Sequence, residues 1–512
     1  MPSSRRKYAI VAAVCLAVLA VLVLVVPRLV DVNRYRPQVA AYLESKTGKP
    51  VQIGRLNLTL FPHLAIQIDN FVMENPKGFP AGDFFKAQRI YALLEAGPLW
   101  NRKIVIRSLI VEGPVTHLIC DTGGHWNFEN PPTPASVPAK APESGKPSFS
   151  LGTISQVSID HGQATVANLL ASGRMGPTYF DGQGLACRFQ DVNINAMSAP
   201  GGDANSSAQA GSAGIVPAAN NPSTPVAHGT FHADSLRFGA IQTTAVDAQI
   251  RLFPKQAYLE DLALKLAGGN VKGKAAADFS HPNLRYRAQT QFQKIDVAQL
   301  LSAFPSASGK MTGTMEGNFN LNGEAAHSAN PLSGLQGTGQ VKVQNGRMPS
   351  LQLNRNLLLL VRVAGVGASS GDPAAFSSVS TDLNLTNQRL SNHNVKIVST
   401  DVNVDASGSV DLSGSNQMDY TGTALVPARQ TGLTNLVAGL SGATYANGML
   451  SFPFALQGTI ENPRFVLKTG KGSLTGLSGA STSGPSQGGQ QSNPIQNLIN
   501  MFGKKKSTPP KP

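Results

Sequence analysis

Hydrophobic and polar side chains alternate along most of this chain with a period of two. Leu56, Leu58 and Leu60 are separated by Asn57 and Thr59; Leu64, Ile66 and Ile68 by Ala65 and Gln67; Ile104 and Ile106 by Val105. The spacing returns at Leu262-x-Leu264-x-Leu266, Phe319-x-Leu321, Val341-x-Val343, Leu383-x-Leu385, Val395-x-Ile397, Val402-x-Val404, Val410-x-Leu412 and Phe465-x-Leu467. Successive side chains of a strand point to opposite faces, so each segment predicts a strand with one apolar and one polar face. Asp160-His161-Gly162, Asn322-Gly323, Asn345-Gly346 and Asn447-Gly448 read as the turns between strands. The expectation is a mainly β chain built as a long antiparallel meander.

Helices are few. Arg36-Pro37 opens one, with Val39, Ala40 and Leu43 on one face and Gly48 placed to end it. Val297–Phe304 and Leu433–Leu440 each predict about two turns. Leu357–Val366 is an apolar run too short to span a bilayer and reads as a buried or docked helix.

One segment breaks the alternation altogether. Tyr8 to Val26 is apolar, with no charge, Gly or Pro. A helix of that length crosses a bilayer core of ~30 Å. A cleavable signal peptide has a shorter apolar region of ~7–15 residues and a small-x-small cleavage site. This run ends in Val25-Val26-Pro27-Arg28, so an uncleaved single-pass anchor is expected. Arg5, Arg6 and Lys7 before it are balanced by Arg28, Arg34 and Arg36 after it, which leaves orientation open.

Three low-complexity stretches divide the remainder: Pro131–Pro147, Ser198–Pro225 and Thr469–Ser492. The expected organisation is a tail and anchor over 1–30, an N-terminal module over 31–130 and a linker over 131–147. A middle β region follows over 148–309 with its loop at 198–225, then a C-terminal module over 310–468 and a tail over 469–512. Within that tail, residues 494–502 form a short amphipathic helix. Ile495, Leu498, Ile499 and Phe502 share its apolar face, and Lys504, Lys505 and Lys506 follow. This segment is a candidate for membrane contact, the alternatives being a helix docked on the protein or a frayed tail.

Composition narrows the function classes. Charged residues make up 14% of the chain while the Gly count is 51, which suits a solvated sheet rather than a compact helical enzyme. The net charge is +14, but the cations are scattered and no strand interleaves them with aromatics, so nucleic acid is not an expected partner. Cys15 lies in the apolar run; Cys120 and Cys187 could pair in an oxidising compartment or remain two buried thiols.

Catalytic motifs fail on inspection. Gly268 to Lys274 spells G-x-x-x-x-G-K, but Ala275 stands where a phosphate-binding loop needs a hydroxyl, so strand-turn-strand is expected. Gly367-Ala368-Ser369-Ser370-Gly371 is followed by Asp372-Pro373 rather than a helix and reads as a loop. His228 and His232 sit in a strand-like context with Asp234 near, where i,i+4 spacing does not bring ligands together. No catalytic, cofactor or metal site is expected.

Several segments in order resemble the AsmA family. Asp31-Val32-Asn33-Arg34-Tyr35-Arg36-Pro37 leads to Leu43-Glu44-Ser45-Lys46-Thr47-Gly48-Lys49-Pro50-Val51, then Leu64 to Phe71 and Asn75-Pro76-Lys77-Gly78. Ile110-Val111-Glu112-Gly113-Pro114 and Gly124-His125-Trp126-Asn127-Phe128 follow, and Asn345-Gly346-Arg347 and Gly458-Thr459-Ile460-Glu461-Asn462-Pro463-Arg464-Phe465 extend the likeness over 310–468. The resemblance, which takes in TamB-like envelope proteins and bridge-like lipid-transfer proteins, implies a bacterial inner-membrane protein with a periplasmic body. It also implies a curved, groove-like sheet and a role in moving phospholipid to the outer membrane.

The alternation leads to the same place. Too few helices are available to cover the apolar face of so many strands, and exposed apolar area costs ~25 cal/mol per Å². A groove for acyl chains would use that face. Leu56, Leu58, Leu60, Ile66, Ile68, Ile104, Ile106, Leu383, Leu385, Val395, Ile397, Phe465 and Leu467 are the candidate lining residues. Expected partners are phospholipids, the inner membrane through residues 8–26, and the outer membrane or one of its proteins through the C-terminus. The alternative is an anchored scaffold with a dry core and no lipid.

Overall fold

The computed structural model describes residues 32–60, 63–99, 103–129, 148–149, 153–193, 225–278, 284–305, 307–325, 334–349, 372, 374–460, 462–469 and 472–474. Two compact units divide the chain: residues 1–304 with 318–337, and residues 305–317 with 338–512.

The first unit begins with a 3-10 turn, Val32–Tyr35, and a helix, Arg36–Thr47. Pro37 sits in the first turn, and Gly48 ends the helix in the left-handed region (φ 65°). Val39, Ala40 and Leu43 pack onto Val51, Ile53, Phe71, Ala87 and Val111, as their shared face predicts. The Asn33 carboxamide oxygen accepts from the Leu56 amide, and Arg36 donates to the Gly54 carbonyl. These two bonds occupy backbone groups on the outer edge of the first strand, where an unpaired edge invites another chain.

Three antiparallel strands follow: β1 (Val51–Thr59), β2 (Ala65–Glu74) and β3 (Asp83–Leu94). β4 (Lys103–Ile104) pairs in parallel with β7 (Ser148–Phe149) in a separate two-stranded sheet. β5 (Ile106–Glu112) and β6 (Val115–Cys120) both run along β3, interrupted at Gly113-Pro114. Both then pair in parallel with β8 (Thr153–Leu169). The sheet is therefore mixed rather than antiparallel throughout. The cause is the long excursion over 121–152, which returns the chain to its starting end; a parallel pair requires a connection of that kind. Ile104 and Ile106, which alternate as one strand would, belong to different sheets because the Val105 carbonyl turns aside to accept from the Glu95 amide.

After β6, Gly124 to Phe128 folds back. Asn127, fully buried, donates to Asn75 and to the His117 carbonyl and accepts from the Ile119 amide. Lys49, buried to 3% exposure, donates to the Phe128 and Glu129 carbonyls. Burial holds its pKa below the usual lysine value.

From β8 the strands pair antiparallel in sequence: β9 (Met175–Asn193), β10 (Ala227–Phe238), β11 (Ile241–Phe253), β12 (Gln256–Leu266), β13 (Gly269–Asp278) and β14 (Leu284–Asp296). A helix, Val297–Ser302, ends short of the expected Phe304, with Asp296 capping it by accepting from the Gln299 amide.

A line of irregular residues crosses these strands. Gly54 lies opposite Asn70 (φ 52°). Gly113 (φ 57°) donates to Asp160 beside His161 (φ 55°), and Gly162 faces Leu185 next to Gly184 (φ 62°). Gly184 contacts Asp234, which lies across from Ala245 (φ 48°), and Asp261 (φ 50°) follows on β12. Around Gly162, Ala245 and Asp261 the register shifts, the mark of a bulge, which bends its strand and resets which face the next side chain takes; at Gly54 and Asn70 the register runs through unbroken. Asp160-His161-Gly162 is thus no turn but the midpoint of β8. Asn and Gly supply the positive φ that a turn and a bulge both need.

β15 (Thr312–Ala325) and β16 (Leu335–Arg347) each contribute residues to both units. Asn322-Gly323 also proves to lie inside a strand: Gly323 is there because the Tyr286 ring packs against its Cα. Asn345 (φ 51°) likewise lies inside β16, with Gly346 against Phe376.

The second unit continues antiparallel through β17 (Ala375–Thr386), β18 (Arg389–Val398), β19 (Asn403–Asp411) and β20 (Gln417–Pro427). A helix, Gly432–Ser441, follows, opened by a reciprocal cap between Thr431 and Thr434. β21 (Thr444–Ala446) turns through Asn447-Gly448 (φ 49° and 75°), as the sequence predicts, into β22 (Met449–Thr459). β22 pairs with β20 and with β23 (Pro463–Thr469), and β24 (Gly472–Leu474) closes the order. The chain is mainly β, with a large mixed sheet, a small two-stranded one and few short helices.

Candidate functional site: an apolar sheet face

One register row crosses the first unit. Leu58 faces Ile66, then Ala92, Leu109, Val157, Phe189, Gly229, Ile250, Leu259, Ala275 and Ala288 on successive strands. Every member is apolar or Gly, and every member is half-buried. Beside it runs a second row: Leu56, Ile68, Ile90, Val111, Ile159, Cys187, Phe231 and Ala248. The reverse face carries charges in register instead, Arg55, Asp69, Arg89, Glu112 and Asp160, with Arg89 paired to Glu112 at 3.4 Å. The two faces thus differ in kind: one carries a row of charged side chains, the other an apolar strip whose side chains keep part of their surface open.

The second unit shows the opposite end of the range. Val379 faces Ile397, Val404, Ala424 and Phe452 in turn. The first two are half-buried, while Ala424 and Phe452 are completely inaccessible. Ala438 of the helix Gly432–Ser441 packs on that cluster, together with Leu450, Phe454 and Phe465. Tyr420, on the same face, donates to the Asn392 carboxamide, and burial pushes its hydroxyl up to about 12.

The candidate lining residues distribute unevenly over these settings. Leu58, Ile66, Ile68, Ile106, Leu383, Leu385, Val395 and Ile397 are half-buried on strands. Leu60 lies just beyond the end of β1. Leu56 (5% exposed) and Phe465 (9%) are packed in cores. Ile104 is placed in β4 and Leu467 in β23, opposite Phe454. Sequence reasoning missed Ala92, Val157, Phe189, Ile250, Leu259, Ala275 and Ala288, because the bulges shift the phase of the alternation within single strands. Tyr8–Val26, Leu357–Val366, Gly367–Gly371, Ile495, Leu498, Ile499, Phe502, Lys504, Lys505 and Lys506 lie outside the described residues.

Other chemistry takes ordinary places. Gly268 to Lys274 is the β12–β13 turn and strand as expected; Lys272 and Lys274 line a polar cleft with Gln289, Gln291, Asn318 and Asn320. His232 pairs with Asp247 at 2.7 Å and Asp234 at 3.4 Å, and these contacts raise its pKa. Among the described residues, no His, Cys, Asp and Glu group is placed to hold a metal. Cys120 and Cys187 are both free thiols, and burial pushes Cys187 up to about 11. Among the same residues, no helix is long and apolar enough to cross a membrane.

Comparison with curated proteins and with solved structures yields no match. The family model described as AsmA family matches residues 2–170 and 225–395. That span takes in the Asn127 fold-back, the β5–β6 interruption and every strand of the open apolar row except β9, and it covers more than half of the chain, which therefore belongs to the AsmA family.

Proposed function

We propose that this chain is an inner-membrane-anchored periplasmic protein that carries phospholipid along its apolar sheet face toward the outer membrane. In doing so it supports outer-membrane assembly and envelope integrity. Family membership supports an envelope-associated role. The observation that carries the finer reading is the half-buried row from Leu58 to Ala288. Leaving such a strip in water costs ~25 cal/mol per Å², and acyl chains are the occupants that recover it without hydrogen-bond demands. Neighbouring strands repeat every ~4.8 Å, so each step along the row offers a tail nearly the same surface. Sliding then needs no catalytic residue. Headgroups remain in water at the rims.

The test is a photoreactive amino acid placed in the full chain within its membranes. At Val157 or Ile250 it should yield phospholipid adducts; at Thr230 or Gln249, on the reverse face, it should not. Equal adducts on both faces, or none on either, would sink the reading. A scaffold that carries no lipid is favoured by one observation, the dry core around Phe452. It predicts no adducts in either unit.

A further inference from the structure

The apolar face reaches one rim of the first unit in unbroken register. Leu118 faces Val166, Val166 faces Phe180, Phe180 faces Phe238, and Phe238 faces Ile241. No member of this row is buried. Two neighbouring hairpins end at the same rim. The β8–β9 tip is closed by bonds from the Leu170 amide to the Arg174 carbonyl and from the Gly173 amide to the Leu170 carbonyl. The β10–β11 tip is joined to β9 by the Gly239 amide, which donates to the Tyr179 carbonyl at 2.7 Å. The Tyr179 and Phe238 rings meet edge to face at 6.2 Å.

These tips carry large apolar side chains in water. Phe238 is 53% exposed, Leu170 46% and Met175 45%. Turns at a sheet rim are ordinarily polar, and the β11–β12 turn on the opposite rim is Pro254-Lys255. Charge is arranged to match. Arg174, exposed, is the ionic residue of the β8–β9 tip and has no ion-pair partner among the described residues. Asp181, farther along β9, is neutralised by Arg237 at 3.0 Å. The tips therefore present apolar side chains and a cation, with the nearby carboxylate already engaged.

We propose that the two tips seat on a phospholipid bilayer surface. Leu170, Met175 and Phe238 enter the boundary between headgroups and acyl chains, and Arg174 takes a lipid phosphate. The Leu118-to-Ile241 row behind them becomes the mouth through which a tail passes onto the apolar face. The mouth's purpose rests on the lipid-carriage reading, whereas the seating rests on the rim alone. A bilayer fits better than a protein partner. Stable protein interfaces bury ~800 Å² per side, more than two narrow tips supply, while a bilayer accepts separate side chains from separate loops.

The experiment uses the full chain reconstituted in vesicles of phosphatidylethanolamine and phosphatidylglycerol. An environment-sensitive fluorophore is introduced as an unnatural amino acid at Met175, with Lys255 on the opposite rim as the control. The quencher is a nitroxide fixed to a membrane-spanning peptide, which cannot leave the bilayer. The Met175 probe should lose more than about half its emission and the Lys255 probe little, and Arg174→Glu should weaken the loss. A Met175 probe that stays bright overturns the proposal, as does one shielded from aqueous iodide by a bound protein. A third probe at Val157, read with brominated lipid, reports carriage separately. Quenching at Val157 without quenching at Met175 keeps the carriage reading and removes the mouth. The reverse keeps the seating and removes carriage.

Discussion

Ile250 and Phe452 occupy the same kind of position, a large apolar residue in a register row, Ile250 opposite Leu259 and Phe452 opposite Ala424. Ile250 keeps part of its surface open, whereas Phe452 has none. The difference does not lie in the strands. Around Phe452, the helix Gly432–Ser441 lays Ala438 on the face and turns it into a dry core. Ile250, by contrast, belongs to none of the buried hydrophobic clusters among the described residues. Alternation alone therefore specifies a two-faced sheet, and a short covering helix decides whether the apolar face becomes core or surface.

The largest test of that contrast is truncation. Phe452→Ala should cost about 3–5 kcal/mol, the sum of lost transfer energy and an unfilled cavity. Ile250→Ala should cost about 1–2 kcal/mol, because a half-open site leaves no closed cavity. Hydrogen exchange resolved by unit would show it, and equal losses would erase the distinction. A charge sharpens it further. Val157→Asp should leave the first unit folded but lower phospholipid adducts at Ile250 by about tenfold, the effect of roughly 1.4 kcal/mol against a passing tail. Ile397→Asp, beside the core of the second unit, should open amides around Phe452 instead.

Smaller effects probe the same boundary. Thr431→Ala removes the helix cap and should cost about 1 kcal/mol, with faster exchange confined to the covering helix and the strands beneath it. Cys187 lies in the open face with its pKa raised by burial to about 11, two units above the 9.0 of a free thiol. At pH 8 it should alkylate ~100-fold more slowly than a free thiol, since the thiolate is the nucleophile. The smallest effect is at Asp411, the last residue of β19. Hydrogen bonds from Ser413 and Ser415 lower its pKa from 3.8 to about 2. Because the folded pKa is the lower one, its contribution is present above about pH 4 and fades as pH falls through about 2. An NMR titration should place its midpoint near 2, and Asp411→Asn should flatten that part of the stability profile.

Much of the fold was legible in local pattern. Strands containing Leu58, Ile66, Leu264, Leu321, Val343, Leu385 and Ile397 fall where period-two spacing puts them, the helix around Leu43 falls where its face and Gly48 indicate, and the helix Gly432–Ser441 contains the expected Leu433–Leu440. The turns misled, because Asn-Gly and His-Gly report positive φ, not reversal. Only Asn447-Gly448 reverses the chain; the pair at 161–162 is a bulge, the pair at 345–346 lies inside β16, and Gly323 admits a Tyr ring. The site was half legible. Leu58 and Ile66 carry their signal locally, whereas Ala275 and Ala288 join the row only through register, which depends on strands remote in sequence. The parallel partnership of β8 with β5 and β6 is likewise invisible to local pattern.

That partnership has a consequence for the order of assembly. β1 to β6 leave the ribosome as a sheet whose growing edge, β5 and β6, stays unsatisfied until β8 arrives from beyond residue 152. Lengthening the 121–152 connection twofold would change equilibrium stability by only ~0.6 kcal/mol. Its effect on timing is larger, since non-local pairing is slow and an open edge recruits other chains while it waits. β9 to β14 then add quickly, each to its immediate predecessor. The moment of β8 docking is thus the interval in which a newly made chain is most exposed to aggregation, and the interval a holding chaperone would have to cover.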